Sequence, residues 1–214
     1  FGGELVPVKA VAGEVIAVTA TIFREGHDAL GAHALLFDVK GKEIARTPMR
    51  EIWRGGDRFE GTITIPARGE FNYAIEAFDD PFATWEHDSE IKISADIDAE
   101  LCCTIGKIIF EEKLNEDPSA KKLLSPAIKA LTDTSLAPAN RFSQATTTEI
   151  RAYFAANPLR RLVSRSELIP VRADRDRALV GAWYEFFPRS EGAIVDAHGR
   201  ITSGNFATAA KRIP

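Results

Sequence analysis

The sequence predicts an α+β chain: an immunoglobulin-like β-sandwich, then a helical segment, then the first strand of a truncated (β/α)8 barrel. Three observations predict it. Across residues 1–96, apolar residues recur with period two in about seven short stretches, with a turn signal every eight to twelve residues. At about Asp96 the period changes from two to helical. Near the end, Leu179 to Gly192 carries Val180, Ala182, Trp183, Tyr184, Phe186 and Phe187 in a nearly unbroken apolar run closed by Pro188. That is the pattern of a strand buried on both faces, which belongs mostly to parallel sheets.

The sandwich strands follow from the alternation. Val6 to Val11 is a short first strand, punctuated by Gly13. In Glu14 to Phe23, Ile16, Val18, Ala20 and Ile22 share one face, with Thr19 and Thr21 opposite. Ala32 to Val39 precedes the Lys40-Gly41-Lys42 turn. Ile44 to Trp53 is broken by Pro48, which suits an edge or a bend. After the turn at Arg54-Gly-Gly-Asp57, Phe59 to Ile65 alternates strictly, and Phe71, Tyr73, Ile75 and Ala77 line one face of the next strand. Glu90 to Ala95 reads as a last short strand.

In the helical segment, Leu101, Ile105, Ile108 and Ile109 mark a first helix ending near Asn115. Ser119 can cap a second with the stripe Leu123, Leu124, Ile128 and Leu131, kinked or split by Pro126. Asn140 to Asn157 holds a third, with a Thr cap near Thr146 and a stop at Asn157-Pro158. A buried Leu or Ile contributes about 1.5–3 kcal/mol, whereas ordering each residue costs roughly 1–2 kcal/mol of backbone entropy. So few apolar residues per helix predict that the stripes are covered partly by a subunit or domain partner. Residues 158–178, rich in Arg and Asp, read as a solvated linker over the surface. The predicted parts are therefore 1–96 sandwich, 97–157 helical segment, 158–178 linker and 179–214 the start of the barrel. The opening Phe1 and the stop at Pro214 predict the front part of a longer protein.

The formal net charge of −4 gives no electrostatic reason to expect nucleic acid or an anionic membrane as partner. No apolar run approaches a membrane span and no signal pattern is present. The two cysteines, Cys102 and Cys103, are adjacent and predicted to be reduced, since neighbouring residues bridge only with strain. Cytoplasm is the expected compartment.

No phosphate loop, zinc spacing or G-x-S-x-G elbow is present, so no catalytic residue, metal ligand or cofactor is assigned. Two His-Asp runs, His27-Asp28 and His87-Asp88, hold a divalent metal only if their turns meet; the commoner role of such residues is to satisfy turn backbone. Trp53, Phe82 and Trp85 form a candidate aromatic platform for sugar rings. Their alternative role is to cover the sandwich ends or an interface.

Five motifs in order are more specific: Val8-Lys-Ala-Val-Ala-Gly-Glu14; Phe23-Arg-Glu-Gly-His-Asp28; Glu76-Ala-Phe-Asp-Asp80 with Phe82-Ala-Thr-Trp85 and His87-Asp88; Pro158-Leu-Arg with Arg165-Ser-Glu167; and Gly181 to Gly192. Together, from about Pro7 to Pro214, they resemble the N-terminal part of the α-1,4-glucan:maltose-1-phosphate maltosyltransferases of the α-amylase superfamily. The resemblance implies a sandwich and helical segment ahead of a (β/α)8 barrel, and a homodimer built largely through those first two parts. It implies a parent enzyme that moves maltosyl from maltose 1-phosphate to α-1,4-glucan with retention, using two carboxylates from later barrel strands. Neither carboxylate falls in this chain, and Glu185 is not nominated. The fragment itself is expected to be inactive, its partners being a second copy, its own barrel and, in the alternative reading, α-glucan held by a carbohydrate-binding sandwich module of another superfamily member.

Overall fold

The computed structural model describes residues 6–53, 55–181 and 185–212, and the chain divides into two units, Phe1–Asp176 and Arg177–Pro214. The architecture is mixed α+β. In the first unit, strands β1 (Val8–Val11), β2 (Val15–Thr21), β3 (Leu30–Phe37), β4 (Glu43–Glu51), β5 (Arg58–Thr64) and β6 (Gly69–Asp79) are followed by helices, then by β7 (Arg161–Arg165) and β8 (Ile169–Asp174). They make one eight-stranded sheet of order β1-β8-β6-β3-β4-β5-β2, with β7 also on β6.

Strand β4 is the corner of this sheet. Its residues up to Met49 pair with β3, and only Arg50 and Glu51 pair with β5. Pro48 lacks a donor and sits at the changeover, which is how the chain turns from one set of partners to the other. Apolar residues from both sets meet in one cluster that includes Val18, Ala34, Leu36, Phe59, Ile63, Ile65 and Val171.

The expected linker at 158–178 is instead part of the sheet. Strand β8 pairs antiparallel with Gly69–Tyr73 of β6 and parallel with β1, while β7 takes the remaining length of the same β6 edge. Between them, Ser166 anchors the break: its amide donates to the Ile75 carbonyl at 2.9 Å and its hydroxyl accepts from the Ile75 amide at 3.0 Å. The Arg-Asp richness that suggested a solvated crossing is real, because every residue of β7 is exposed. In β8, buried Val171 and Ala173 alternate with exposed Arg172 and Asp174, a period-two signal that Pro170 obscured.

The expected strand at Glu90–Ala95 is also corrected. It lies in helix α1 (Pro81–Ser94). Ile91-Lys-Ile93 looks like alternation, but the buried positions Phe82, Trp85 and Ser89 have helical spacing. The start is well signalled: the Asp80 side chain accepts from the Ala83 amide at 3.0 Å and Pro81 occupies the first turn.

Four further helices follow: α2 (Ala99–Glu116), α3 (Lys121–Thr132), α4 (Pro138–Ala145) and α5 (Thr148–Ala156). Asp96 and Asp98 both take positive φ, a left-handed conformation that Asp tolerates better than most non-glycine residues, and so turn α1 sharply into α2. Ser119 lies in a short 3-10 turn capped by Asp117 rather than capping a helix itself. Pro126 neither splits nor ends α3; it removes one intrahelical hydrogen bond, while Leu124, Ala127 and Leu131 around it are buried. The expected third helix is two, with Thr147 capping α5.

The helices pack on an aromatic centre. Phe82 stacks on Phe154 with ring centres 4.0 Å apart, and Trp85 meets Phe110 and Phe142 edge-on at 5.8 and 5.5 Å. Trp85 Nε1 donates to the Cys102 carbonyl at 2.7 Å, so the buried ring keeps its hydrogen bond. Cys102 and Cys103 are both free and buried, as expected.

In the second unit, β9 (Ile194–Val195) and β10 (Ile201–Thr202) form a hairpin and Asn205 caps α6 (Phe206–Ala210). Of the expected strand Val180–Phe187, residues 182–184 lie outside the described residues, and 180, 181 and 185–187 are not in strand. A parallel strand makes all its backbone hydrogen bonds to neighbours, and none of these described residues has a neighbouring strand. No helix among the described residues is long and apolar enough to cross a membrane.

Candidate interaction surface

Helix α2 has two apolar faces. One carries Cys103, Ile109 and Phe110 in the helical core cluster, with Cys102, Gly106 and the stem of Lys113 also buried. The other carries Leu101, Ile105 and Ile108, spaced i, i+4, i+7 and therefore in one row. Leu101 and Ile108 are 52 % and 54 % exposed. The sequence grouped Ile109 with that row, and the structure separates it onto the core face. Exposed Ile91 and Ile97, from the end of α1 and the turn after it, add to the apolar surface that these two helices leave open. Of the other predicted stripe residues, Leu124 and Leu131 are fully buried and Leu123 and Ile128 partly so.

A buried charge ties the chain returning from α5 to the sheet. Sheet register puts His33, Glu76 and Arg165 in one cross-strand row. Glu76 is 2 % exposed and receives three guanidiniums: Arg46, Arg160 at 2.6 Å and Arg165 at 3.0 Å. Burial by itself pushes the carboxyl up, but the hydrogen bonds from Arg46, Arg165 and Arg160 outweigh it and hold the pKa at about 2. His33 is held below its usual range by burial and by Arg46, so it stays neutral beside the carboxylate. Arg160 and Arg165 come from the segment that returns from α5, so this buried charge fixes that return. Sequence reasoning missed the cluster, because nothing in the spacing of 46, 76, 160 and 165 indicates that they meet.

The three aromatic candidates do not form a platform. Phe82 and Trp85 are each 4 % exposed, inside the helical core. Trp53 is 57 % exposed and lies between β4 and β5. Its ring covers Gly56, where a Cβ would fall 1.7 Å from Nε1. Of the two His-Asp runs, His27 and His87 are exposed, Asp28 pairs with Arg24 at 3.4 Å, and His87-Asp88 sits on α1 rather than in a turn. Among the described residues no group of three or more His, Cys, Asp or Glu is placed to hold a metal ion.

A family model for the α-1,4-glucan:maltose-1-phosphate maltosyltransferase, domain N/S, matches residues 2–175. The chain belongs to this family. It is 45 % identical over 210 residues to α-1,4-glucan:maltose-1-phosphate maltosyltransferase 2 of Streptomyces coelicolor, the match covering 97 % of this chain and 31 % of that protein. The corresponding protein of Arcanobacterium haemolyticum is 42 % identical over 208 residues, or 95 % of this chain and 30 % of its own. That of Mycobacterium tuberculosis is 32 % identical over 233 residues, 97 % and 33 % respectively. The chain thus spans about a third of the length of these curated relatives. The family match ends beside the division between the two structural units at Asp176.

Proposed function

We propose that this chain is the non-catalytic N-terminal region of a maltosyltransferase that transfers maltosyl from maltose 1-phosphate to α-1,4-glucan, and that it serves homodimerisation and support of a catalytic barrel. The observation that carries the reading is the N/S-domain match over 2–175, in a chain whose α2 holds an apolar row away from its own core. Exposed rows of large apolar residues mark interaction sites in soluble proteins. Within this reading, Phe82 and Trp85 are packing residues, and only Trp53 of the three retains an open ring for the alternative, a carbohydrate-binding module. The absence of a combined platform favours the supporting role.

In the same reading the sheet is an immunoglobulin-like sandwich, supported by the β4 corner and the cluster between its two sets of strands. The helices 81–156 are an insert between β6 and β7, the apolar run 180–187 is a barrel strand of the longer enzyme, and the compartment is the cytoplasm. Solution mass tests the proposal. The purified chain is expected to run as a dimer, and Leu101→Glu with Ile108→Glu to run as a folded monomer. A wild-type monomer, or a charge variant that dimerises unchanged, overturns the interface. Incubated with maltose 1-phosphate and glucan, the chain alone is expected to release no phosphate.

A further inference from the structure

A groove of about 490 Å³ lies between β7 and the later turns of α2, within the size range of small-ligand sites. The sheet contributes Arg46 and Glu76, the chain returning from α5 adds Arg160, Val163 and Arg165, and α2 adds Glu112 and Glu116.

The charges of this groove do not cancel. Arg46 gives two nitrogens to Glu43, at 2.9 and 3.0 Å. Glu112 is paired with Arg161, and Glu116 with Lys113 at 3.1 Å. Once those pairs are matched, the single carboxylate of Glu76 faces both Arg160 and Arg165. One positive charge is left over.

Guanidiniums at a protein surface are ordinarily mobile, and anchoring distinguishes these two. Arg160 reaches one oxygen of Glu76 at 2.6 Å, and Arg165 the other at 3.0 Å. That carboxylate is 2 % exposed and sits on β6, which is paired along both edges, so it cannot follow the arginines into solvent. The two arginine side chains are nonetheless 36 % and 47 % exposed. Each spends one nitrogen on Glu76 and donates no other hydrogen bond to a described residue. A guanidinium carries five N–H donors, so most of them stay open to the groove. Forks already held in place lose little freedom on binding.

The surplus charge and the lining select the ligand class. A monoanion matches one positive charge, whereas a dianion brings its second charge close to Glu76, Glu112 and Glu116. A planar carboxylate fits a guanidinium fork with two parallel hydrogen bonds. Val163, 49 % exposed, offers apolar surface to a short hydrocarbon tail; the other apolar lining residue, Leu159, belongs to the core.

We propose that this groove binds a small monocarboxylic acid through Arg160 and Arg165. The proposal is independent of the dimer interface argued above, because Leu101, Ile105 and Ile108 do not line the groove. The test titrates the full chain with sodium propionate, sodium phosphate and sodium chloride at equal ionic strength, following the side-chain Nε–H signals of Arg160 and Arg165. Propionate is expected to shift them saturably and to bind more tightly than phosphate, and chloride to give no saturable shift. Arg165→Lys keeps the charge but loses the fork, and is expected to weaken propionate about fivefold, the effect of one lost hydrogen bond. Glu112→Gln frees Arg161 and adds a positive charge beside the groove, and is expected to tighten propionate about threefold. A folding defect cannot produce that gain. Arg172→Gln, outside the groove on β8, is expected to change nothing. No saturable shift with propionate, tighter binding of phosphate, a Glu112→Gln chain that gains nothing, or a folded Arg165→Lys chain that binds like the wild type would each overturn the proposal.

Discussion

Gly106 and Glu76 are two residues whose roles depend on what surrounds them rather than on their own propensities. A Cβ on Gly106 would fall 2.4 Å from Trp85 Cζ2. That ring cannot retreat, being fixed by its bond to the Cys102 carbonyl and by Phe82, Phe110 and Phe142. Gly106→Ala gains up to about 1 kcal/mol in helix propensity but overpacks a dense core at about 1–3 kcal/mol. A net loss is expected, read as a lower urea midpoint at unchanged slope. For Glu76, a carboxyl held at about 2 against an unfolded value near 4.3 contributes stability that is fully present above the unfolded value. That stability is lost as pH falls from about 4.3 towards 2. Glu76→Gln leaves three guanidiniums facing an uncharged amide and should cost about 3 kcal/mol at neutral pH. It should also flatten part of the acid slope, the rest belonging to carboxylates such as Asp117 and Asp133, whose hydrogen bonds also lower their pKa. Urea unfolding of both proteins at pH 7 and pH 3 checks this: the difference between them should shrink at the lower pH.

At the scale of elements, what was legible was local and periodic. Strands β2, β5 and β6 announce themselves because side chains alternate between a more buried and a more exposed face, β3 because it is a short apolar run buried on both faces, and α2 because its apolar residues recur at helical spacing. The failures have physical causes. Strand β7 is exposed at every position, so it carries no burial pattern; its place is set by hydrogen bonds to β6, which a sequence does not display. The end of helix α1 reads as a strand because two isoleucines flanking a lysine fit the period of two, while the buried helical positions Phe82, Trp85 and Ser89 lie earlier. The candidate site was less legible still: Trp53, Phe82 and Trp85 are aromatic for different reasons, and the Glu76 cluster depends on contacts across as many as 89 positions. One consequence concerns the predicted 1–96 domain. Without β8, strand β1 loses its partner and the Gly69–Tyr73 edge of β6 is bare, while Phe82 and Trp85 lose the helices that cover them. A 1–96 fragment is therefore expected to be unfolded or aggregated, with none of the dispersed amide shifts of the full chain.

At the scale of the whole molecule, the division at Asp176 separates cores as well as contacts. The sheet cluster draws on residues between Ala10 and Ala173, and the helical cluster on residues between Phe82 and Leu159. Among the described residues, neither includes one of the second unit. That unit has its own small framework: Thr208 Oγ1 donates to the Glu191 carbonyl at 2.7 Å, and the Gly204 amide donates to the Arg189 carbonyl at 2.8 Å. Gly204 packs so closely there that a Cβ would fall 2.0 Å from the Glu191 carbonyl oxygen. With only 38 residues, Arg177 to Pro214, it is below the roughly 40 residues at which a chain usually needs extra support to fold alone. Its large apolar side chains Val195, Ile201 and Phe206 are exposed. The two units should therefore differ in cooperativity. A chain ending at Asp176 is expected to keep the thermal midpoint of the full chain within a few degrees, because it loses no residue of the sheet or helical core cluster, and Ala209 is buried within the second unit itself. In native-state hydrogen exchange of the full chain, amides of β3, β6 and α2 should exchange only with global unfolding, and those of β9, β10 and α6 far sooner. If the truncation instead lowered the midpoint by ten degrees or more, or if the two sets of amides exchanged together, the second unit would be part of the same cooperative fold.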